Sequence, residues 1–244
     1  MNISFFPSPN FTKKRNRKIK FLIIHYTGMK TIAESMKRLQ DVKQKVSAHY
    51  LLDYDGSIIQ MVKDKNIAWH AGLSYWDGKK NLNNNSIGIE IQNKGEEFGY
   101  ERFGQSQIAS LITLIQFLKS KYSIKDFFII GHSDIAPDRK IDPGYLFPWQ
   151  RLFKVGIGLM PRNIKSMNKE LPNSKIKDLQ RLLKKFGYKL SISGILNLET
   201  LQVLYAFQSH YCSNELKEFP IKSKLLRYLE DLIKLKNRSL TKQT

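Results

Sequence analysis

A single cysteine, Cys212, in 244 residues excludes an internal disulfide and gives no sign of an oxidising compartment. No apolar run approaches the roughly 20 residues needed to cross a bilayer, so stable membrane insertion is not expected. The first residues, Met1 to Pro9, contain no apolar h-region and no small-residue cleavage site, so no signal peptide is expected from them. There is also no glycine-rich phosphate loop, no serine nucleophile elbow and no Cys-x-x-Cys pair. Acidic residues are scarce: 21 Asp and Glu face 41 Lys and Arg, a net charge of +20. The excess is spread along the chain, with 17 basic against 7 acidic residues in 161–244. Such a field favours polyanions, whether nucleic acid, acidic lipid or a carboxylate-rich wall. The one dense run, Lys13-Lys14-Arg15-Asn16-Arg17-Lys18, reads as a solvated segment ahead of the first strand. No aromatic-rich basic motif accompanies it, so nucleic acid is not the expected partner.

An apolar content of 41%, with 14 phenylalanines, supports a real core, and the length allows one ordinary domain and a smaller one. Strand-like runs fall at Ile19–Tyr26, Ala48–Tyr54, Ile58–Val62, Ser86–Gln92 and Phe127–Gly131. The turn Asp53-Tyr54-Asp55-Gly56-Ser57 makes a hairpin of the second and third. Helical patterns fall at Thr31–Asp41 and Gln105–Tyr122. The expected fold is therefore α/β, a mixed sheet flanked by helices. After Trp149 the texture changes, and three further helical patterns, Lys175–Phe186, Leu198–Tyr211 and Ile221–Leu235, predict a second, small three-helix domain. The chain thus divides into a basic segment 1–17, a main domain 18–155, a linker 156–172 and a helical domain 173–238, with a frayed tail from Lys236.

The chemistry-bearing stretch is Gly131 to Gly144, GHSDIAPDRKIDPG, a strand end breaking into a Pro- and Gly-punctuated loop. His132 stands at the strand end, Asp142 ten residues later, and Lys140 two before it. His25 ends another buried-strand pattern. Two imidazoles and one carboxylate leave a tetrahedral zinc ion one open position for water, the catalytic arrangement. Each residue also has a plain alternative: either histidine can be satisfied by a backbone carbonyl, and Asp142 can be a turn residue. Glu90, inside the apolar strand Ser86–Ile91, either faces solvent or points into a cleft as a general base. His49 and His70 are read as groups that support the ligands from behind or contact substrate, or as ordinary core and rim residues. His210 is read as a surface or packing residue and Cys212 as a buried small hydrophobe.

Six ordered motifs resemble the zinc-dependent N-acetylmuramoyl-L-alanine amidases of the type-2 family. They are Ile24-His25-Tyr26-Thr27, Ser47-Ala48-His49-Tyr50, Asp55-Gly56, Ala68-Trp69-His70-Ala71-Gly72, Asn84 to Glu90, and Gly131 to Gly144. The third ligand being Asp points to the branch that includes enzymes cutting 1,6-anhydro-muropeptides. The resemblance implies Zn2+ held by His25, His132 and Asp142, with Glu90 activating water and Lys140 stabilising the oxyanion. It implies substrate contacts from His49, Trp69, His70, Asn85 and Arg139, the last holding a peptide carboxylate. The substrate would be peptidoglycan or muropeptides, cut between the muramoyl group and L-alanine. A non-catalytic recognition protein on the same fold is the alternative.

The segment from Ile176 to Gln208 resembles a peptidoglycan-binding module, through Ile176-Lys177-Asp178-Leu179-Gln180-Arg181-Leu182-Leu183, Phe186-Gly187-Tyr188, Ser193-Gly194-Ile195-Leu196 and Thr200 to Gln208. It departs at Ile195-Leu196-Asn197, where that family often has Asp. A wall-binding module favours the bacterial cell envelope, the periplasm, as the location; the cytoplasm is the alternative because no signal peptide is visible.

Overall fold

The computed structural model describes residues 2–162, 169–216 and 220–241. In chain order its strands are β1 (Ile3–Phe5), β2 (Phe11–Thr12), β3 (Phe21–Tyr26), β4 (Tyr50–Leu52), β5 (Ile58–Gln60), β6 (Ile67–Ala68), β7 (Tyr75–Trp76), β8 (Lys79–Lys80), β9 (Ser86–Ile91) and β10 (Ile129–Gly131). Its α-helices are α1 (Ile32–Gln40), α2 (Gly95–Phe98), α3 (Gln105–Tyr122), α4 (His132–Ile135), α5 (Trp149–Lys154), α6 (Ile176–Phe186), α7 (Leu198–Tyr211) and α8 (Lys224–Thr241). Six strands form a mixed sheet in the order β1-β5-β4-β9-β3-β10. The neighbours β4, β9, β3 and β10 are parallel, while β5 returns antiparallel to β4 and carries β1 on its outer edge.

The central strands are apolar runs because the sheet is covered on both faces. One side, Ile87, Ile89, Ile91, Tyr50 and Leu52, shares a core with Ile108, Leu111, Leu114, Ile115 and Leu118 of α3. On the other side Leu51, Ile59 and Met61 pack with Leu39 of α1. Helix α1 starts where the sequence suggests: the Thr31 side chain accepts from the Glu34 amide, and Glu34 reciprocates at the Thr31 amide.

All five expected strands and all five expected helical patterns are present, the strands trimmed by a few residues. The short pieces β1, β2, β6 and the β7–β8 hairpin were beyond the periodicity, since two or three residues carry no pattern. Of the basic run, Lys13, Lys14, Arg15, Asn16 and Lys18 are exposed, as expected, and Arg17 turns inwards. Residues 3–5 are an edge strand of the main sheet, and Arg17 is a clamp. Its guanidinium donates to the carbonyls of Asp64 at 2.8 Å, of Asn83 and Asn84 at 3.2 Å, and of Asn66 and Ser86. Burial pushes that guanidinium down to about 10, opposed by the nearby Asp64 charge, so it remains protonated at neutral pH.

The C-terminal helices share one continuous core with the sheet-bearing part rather than sitting apart. Trp76 is fully buried, with its ring 5.5 Å from Phe127 and 4.9 Å from Tyr188. Of the expected linker, residues 163–168 lie outside the described residues, while Ile157, Met160 and Leu171 are buried. The tail is not frayed from Lys236: α8 continues to Thr241, and Lys236 is buried. Its ammonium donates to Asp77 at 2.6 Å and to the last carbonyl of α6, Phe186, at 2.9 Å, a favourable place for a cation. Residues 242–244 lie outside the described residues.

Arg17→Ala is expected to lower stability by about 2–4 kcal/mol, since several carbonyls lose a charged donor together. Arg17→Lys is expected to recover only part of it, because one ammonium cannot fan across five acceptors. Urea denaturation of the three proteins checks this.

Candidate metal centre

The parallel register builds the site. His25 of β3 is paired with Glu90 of β9, and Glu90 with Leu51 of β4. On the other side Gly131 is paired with Ile24, so His132 emerges one residue later at the level of His25. His132, His25 and Glu90 therefore occupy one row at the C-terminal ends of parallel strands, where open α/β sheets place their ligands. Asp142 returns to the row by the loop after α4, and its carbonyl accepts the Ser133 amide at 2.8 Å.

Three lone-pair atoms converge there. His25 Nδ1 lies 3.0 Å from His132 Nδ1 and 3.0 Å from Asp142 Oδ2, and His132 Nδ1 lies 3.1 Å from the same oxygen. All three residues are buried. Burial, and next the neighbouring His132, lowers His25 to about 4, so its imidazole is neutral near pH 7. Burial would raise the Asp142 carboxyl, but the charges and hydrogen bonds of the two imidazoles outweigh it and hold it well below the usual carboxylate range. Two imidazole nitrogens and a carboxylate oxygen are a donor set that suits a divalent cation. Ligand atoms around a tetrahedral zinc are about 3.3 Å apart, given bonds of roughly 2.0–2.1 Å, so the spacing fits such an ion after a small expansion.

The tautomer of His25 is fixed from behind. Ser86 donates its hydroxyl proton to the Leu82 carbonyl at 2.7 Å, so towards His70 Nε2, 3.1 Å away, it can only accept. His70 then holds its proton on Nε2 and presents Nδ1 as an acceptor to His25 Nε2, 3.1 Å away. His25 in turn keeps its proton on Nε2 and turns the Nδ1 lone pair towards His132 and Asp142. Burial, then the surrounding imidazoles, hold His70 well below its usual pKa, so it stays neutral in this relay. Gly88 makes room: a Cβ there would lie 2.3 Å from His70 Cγ. The strand Ser86-Ile87-Gly88-Ile89-Glu90-Ile91 thus alternates apolar residues towards α3 with a hydroxyl, a gap and a carboxylate towards the site.

Glu90 Oε2 is buried without a partner among the described residues. Burial first, and then the Asp142 charge, raise its carboxyl well above the usual range, against the pull of Lys140 and Arg38. Lys140 is half-buried, and its charge acts on both His25 and Glu90.

The remaining sequence-selected residues take other places. His49 is fully buried, accepting from the Gly88 amide at Nδ1 and meeting the Asn66 carbonyl at Nε2, so it braces the sheet. His70, also buried, serves the relay to His25. Arg139 is exposed and donates from one terminal nitrogen to the carbonyls of Ala71 and Leu73, both at 2.6 Å, which ties the Trp69–Leu73 loop to the ligand loop. Trp69 is half-buried and donates from Nε1 to Thr12 at 3.0 Å. Asn85 is half-buried, with its Oδ1 buried and unpartnered among the described residues. Residue identity could not separate these places, because an imidazole serves a core and a cleft equally well. Ser86 and Gly88 had no assigned role, although their alternation with three isoleucines was the available signal.

Fold and site together define a sheet-based hydrolase-type centre: a His-His-Asp group beside a basic carboxylate and an ammonium. The N-acetylmuramoyl-L-alanine amidase family, Amidase_2, matches residues 15–145. The N-acetylmuramoyl-L-alanine amidase AmiD of Escherichia coli is 38% identical over 212 residues, spanning 80% of this chain and 75% of its own. The 1,6-anhydro-N-acetylmuramyl-L-alanine amidase AmpD of Haemophilus influenzae is 34% identical over 163 residues, 59% of this chain and 86% of its own. Among solved structures, E. coli AmiD with anhydro-N-acetylmuramic acid-L-Ala-D-gamma-Glu-L-Lys superposes with a TM-score of 0.79 at 30% identity over 93% of this chain and 98% of that one. AmpDh3 of Pseudomonas aeruginosa superposes with a TM-score of 0.74 at 26% identity over 94% and 98%. The chain belongs to the type-2 N-acetylmuramoyl-L-alanine amidase family.

Two outcomes are expected. Gly88→Ala, which drives His70 off the strand, should weaken divalent-cation affinity by about 10–100-fold, and Ser86→Ala by about 10-fold, read by chelator competition. Burial, then Arg17, lowers His49 to about 3, so the folded state resists a proton that the unfolded chain accepts below about 6.5. Stability is fully present above that pH and falls as pH drops towards 3, by up to about 1.4 kcal/mol per unit for this one group. Denaturant midpoints of the metal-free protein and of His49→Gln, taken at pH 7 and pH 5, should show the smaller loss in the variant.

Proposed function

We propose that the protein is a zinc-dependent amidase cleaving the amide bond between N-acetylmuramoyl, including its 1,6-anhydro form, and L-alanine in peptidoglycan fragments. The observation that carries this reading is the convergence of His25 Nδ1, His132 Nδ1 and Asp142 Oδ2 within 3.1 Å, one register row from Glu90. Kinship to AmiD and AmpD, whose names and bound substrate specify anhydro-muramyl peptides, supports the substrate class.

His25, His132 and Asp142 would hold the zinc ion, which supplies Lewis acidity towards the scissile carbonyl and lowers the pKa of a water. Glu90 takes a proton at its carboxylate as that water attacks, a role its raised basicity suits, and delivers it to the departing L-alanine nitrogen. Lys140 places its ammonium against the negative charge that grows on the carbonyl oxygen. The His70–Ser86 relay and the Arg139 tie keep the ligand groups from drifting during turnover. We read the partner as soluble muropeptide or wall polymer, not nucleic acid. No helix among the described residues is long and apolar enough to cross a membrane.

Incubating the zinc-loaded protein with an anhydro-muramyl peptide should release free peptide beginning with L-Ala, detected by mass spectrometry. Glu90→Gln should keep about one zinc per chain while kcat falls about 10²–10⁴-fold. Full turnover in Glu90→Gln, or no zinc in the wild type, would remove the reading.

A further inference from the structure

Asp134 lies in α4 two residues beyond His132 and is 1% exposed. Its carboxylate accepts three hydrogen bonds. The Gly131 amide donates to Oδ2 at 2.8 Å and so locks the strand-to-helix turn that presents His132. The other two donors belong to the C-terminal helices. Tyr188, just after α6, donates its hydroxyl to Oδ1 at 2.5 Å, and His210 Nδ1, near the end of α7, lies 2.6 Å from Oδ2. A carboxylate removed from water at this depth requires such donors, and two of the three come from more than fifty residues away.

Both donors are themselves packed among rings. Tyr188 is fully buried, with its ring 4.9 Å from that of Trp76 and 6.4 Å from that of Phe186. The His210 ring is stacked on Trp149 at 3.6 Å and on Tyr211 at 3.8 Å. The hold on α4 passes to the second ligand loop through the Ser133 amide and the Asp142 carbonyl. Asp134, Tyr188 and His210 touch none of the three candidate ligand atoms, and the reaction has no step for them.

We propose that Asp134, Tyr188 and His210 are positioning residues, a buried brace by which the C-terminal helices hold His132 and Asp142 in register with His25. The helical part is then a structural member of the active site as well as a second packing unit. This inference rests on the zinc amidase reading, and its test separates the two.

The full chain carrying Tyr188→Phe keeps the buried ring and removes one donor. Its zinc affinity by chelator competition, kcat and KM on an anhydro-muramyl peptide, and thermal midpoint are compared with wild type. A control, Gln202→Ala, removes a different bond between the same parts, from α7 to the Asp138 carbonyl. The brace requires Tyr188→Phe to lose about tenfold in zinc affinity and about tenfold in kcat, with KM within twofold, while Gln202→Ala is unchanged. A lowered thermal midpoint with unaltered zinc affinity and kcat would reduce Tyr188 to a packing residue and overturn the proposal, as would equal losses in Gln202→Ala. If Tyr188→Phe does not fold, His210→Gln is measured in the same way, and the same losses support the brace or their absence overturns it. A wild type that binds zinc but hydrolyses no muropeptide would refute the enzymatic reading, and the zinc affinities would still decide the brace.

Discussion

The parallel pairing of β10, β3 and β9 is the constraint on which everything else depends. A slip of one residue in that register would turn His25 and Glu90 to opposite faces and put an isoleucine in the row. Register is secured by the isoleucines and leucines that fill the α3 side, so the core and the site are two sides of one pattern. Stability and chemistry are therefore coupled through strand alternation.

Around that row the chain has arranged neutral imidazoles in depth. His70 sets the tautomer of His25, and Gly88 leaves the space for it. His49 braces β9 from the far side by bonding the Gly88 backbone. Each of these imidazoles is kept uncharged by burial, which suits a cation site, because a protonated imidazole is no ligand. The same burial leaves Glu90 the most basic carboxyl in the neighbourhood, opposite in direction to Asp142, and neighbouring carboxyls driven apart in this way take different roles.

Much of this was legible in the sequence. Long elements with sustained period, such as Gln105–Tyr122 and Leu198–Tyr211, have the boundaries their apolar spacing indicates. The residues that converge, His25, His132 and Asp142, stood out because they end apolar runs or sit in punctuated loops. What could not be read was the direction of short-range polar bonds: that His70 meets His25, and that Arg139 meets two carbonyls. Nor could a charge run reveal that Arg17 would be folded inwards onto backbone carbonyls. The helical region shows the same limit, since its stripes indicated helices while its docking depends on Tyr188, His210 and Lys236 finding partners far away in sequence.

The central claim is that three side chains from separate segments share one cation. A crystal structure of the wild-type protein grown with zinc, with anomalous differences collected across the zinc edge, measures this directly. The account predicts a single strong peak within bonding distance of His25 Nδ1, His132 Nδ1 and Asp142 Oδ2, with the His70–His25 hydrogen bond intact. A peak elsewhere, or those three groups separated with no peak between them, would contradict it.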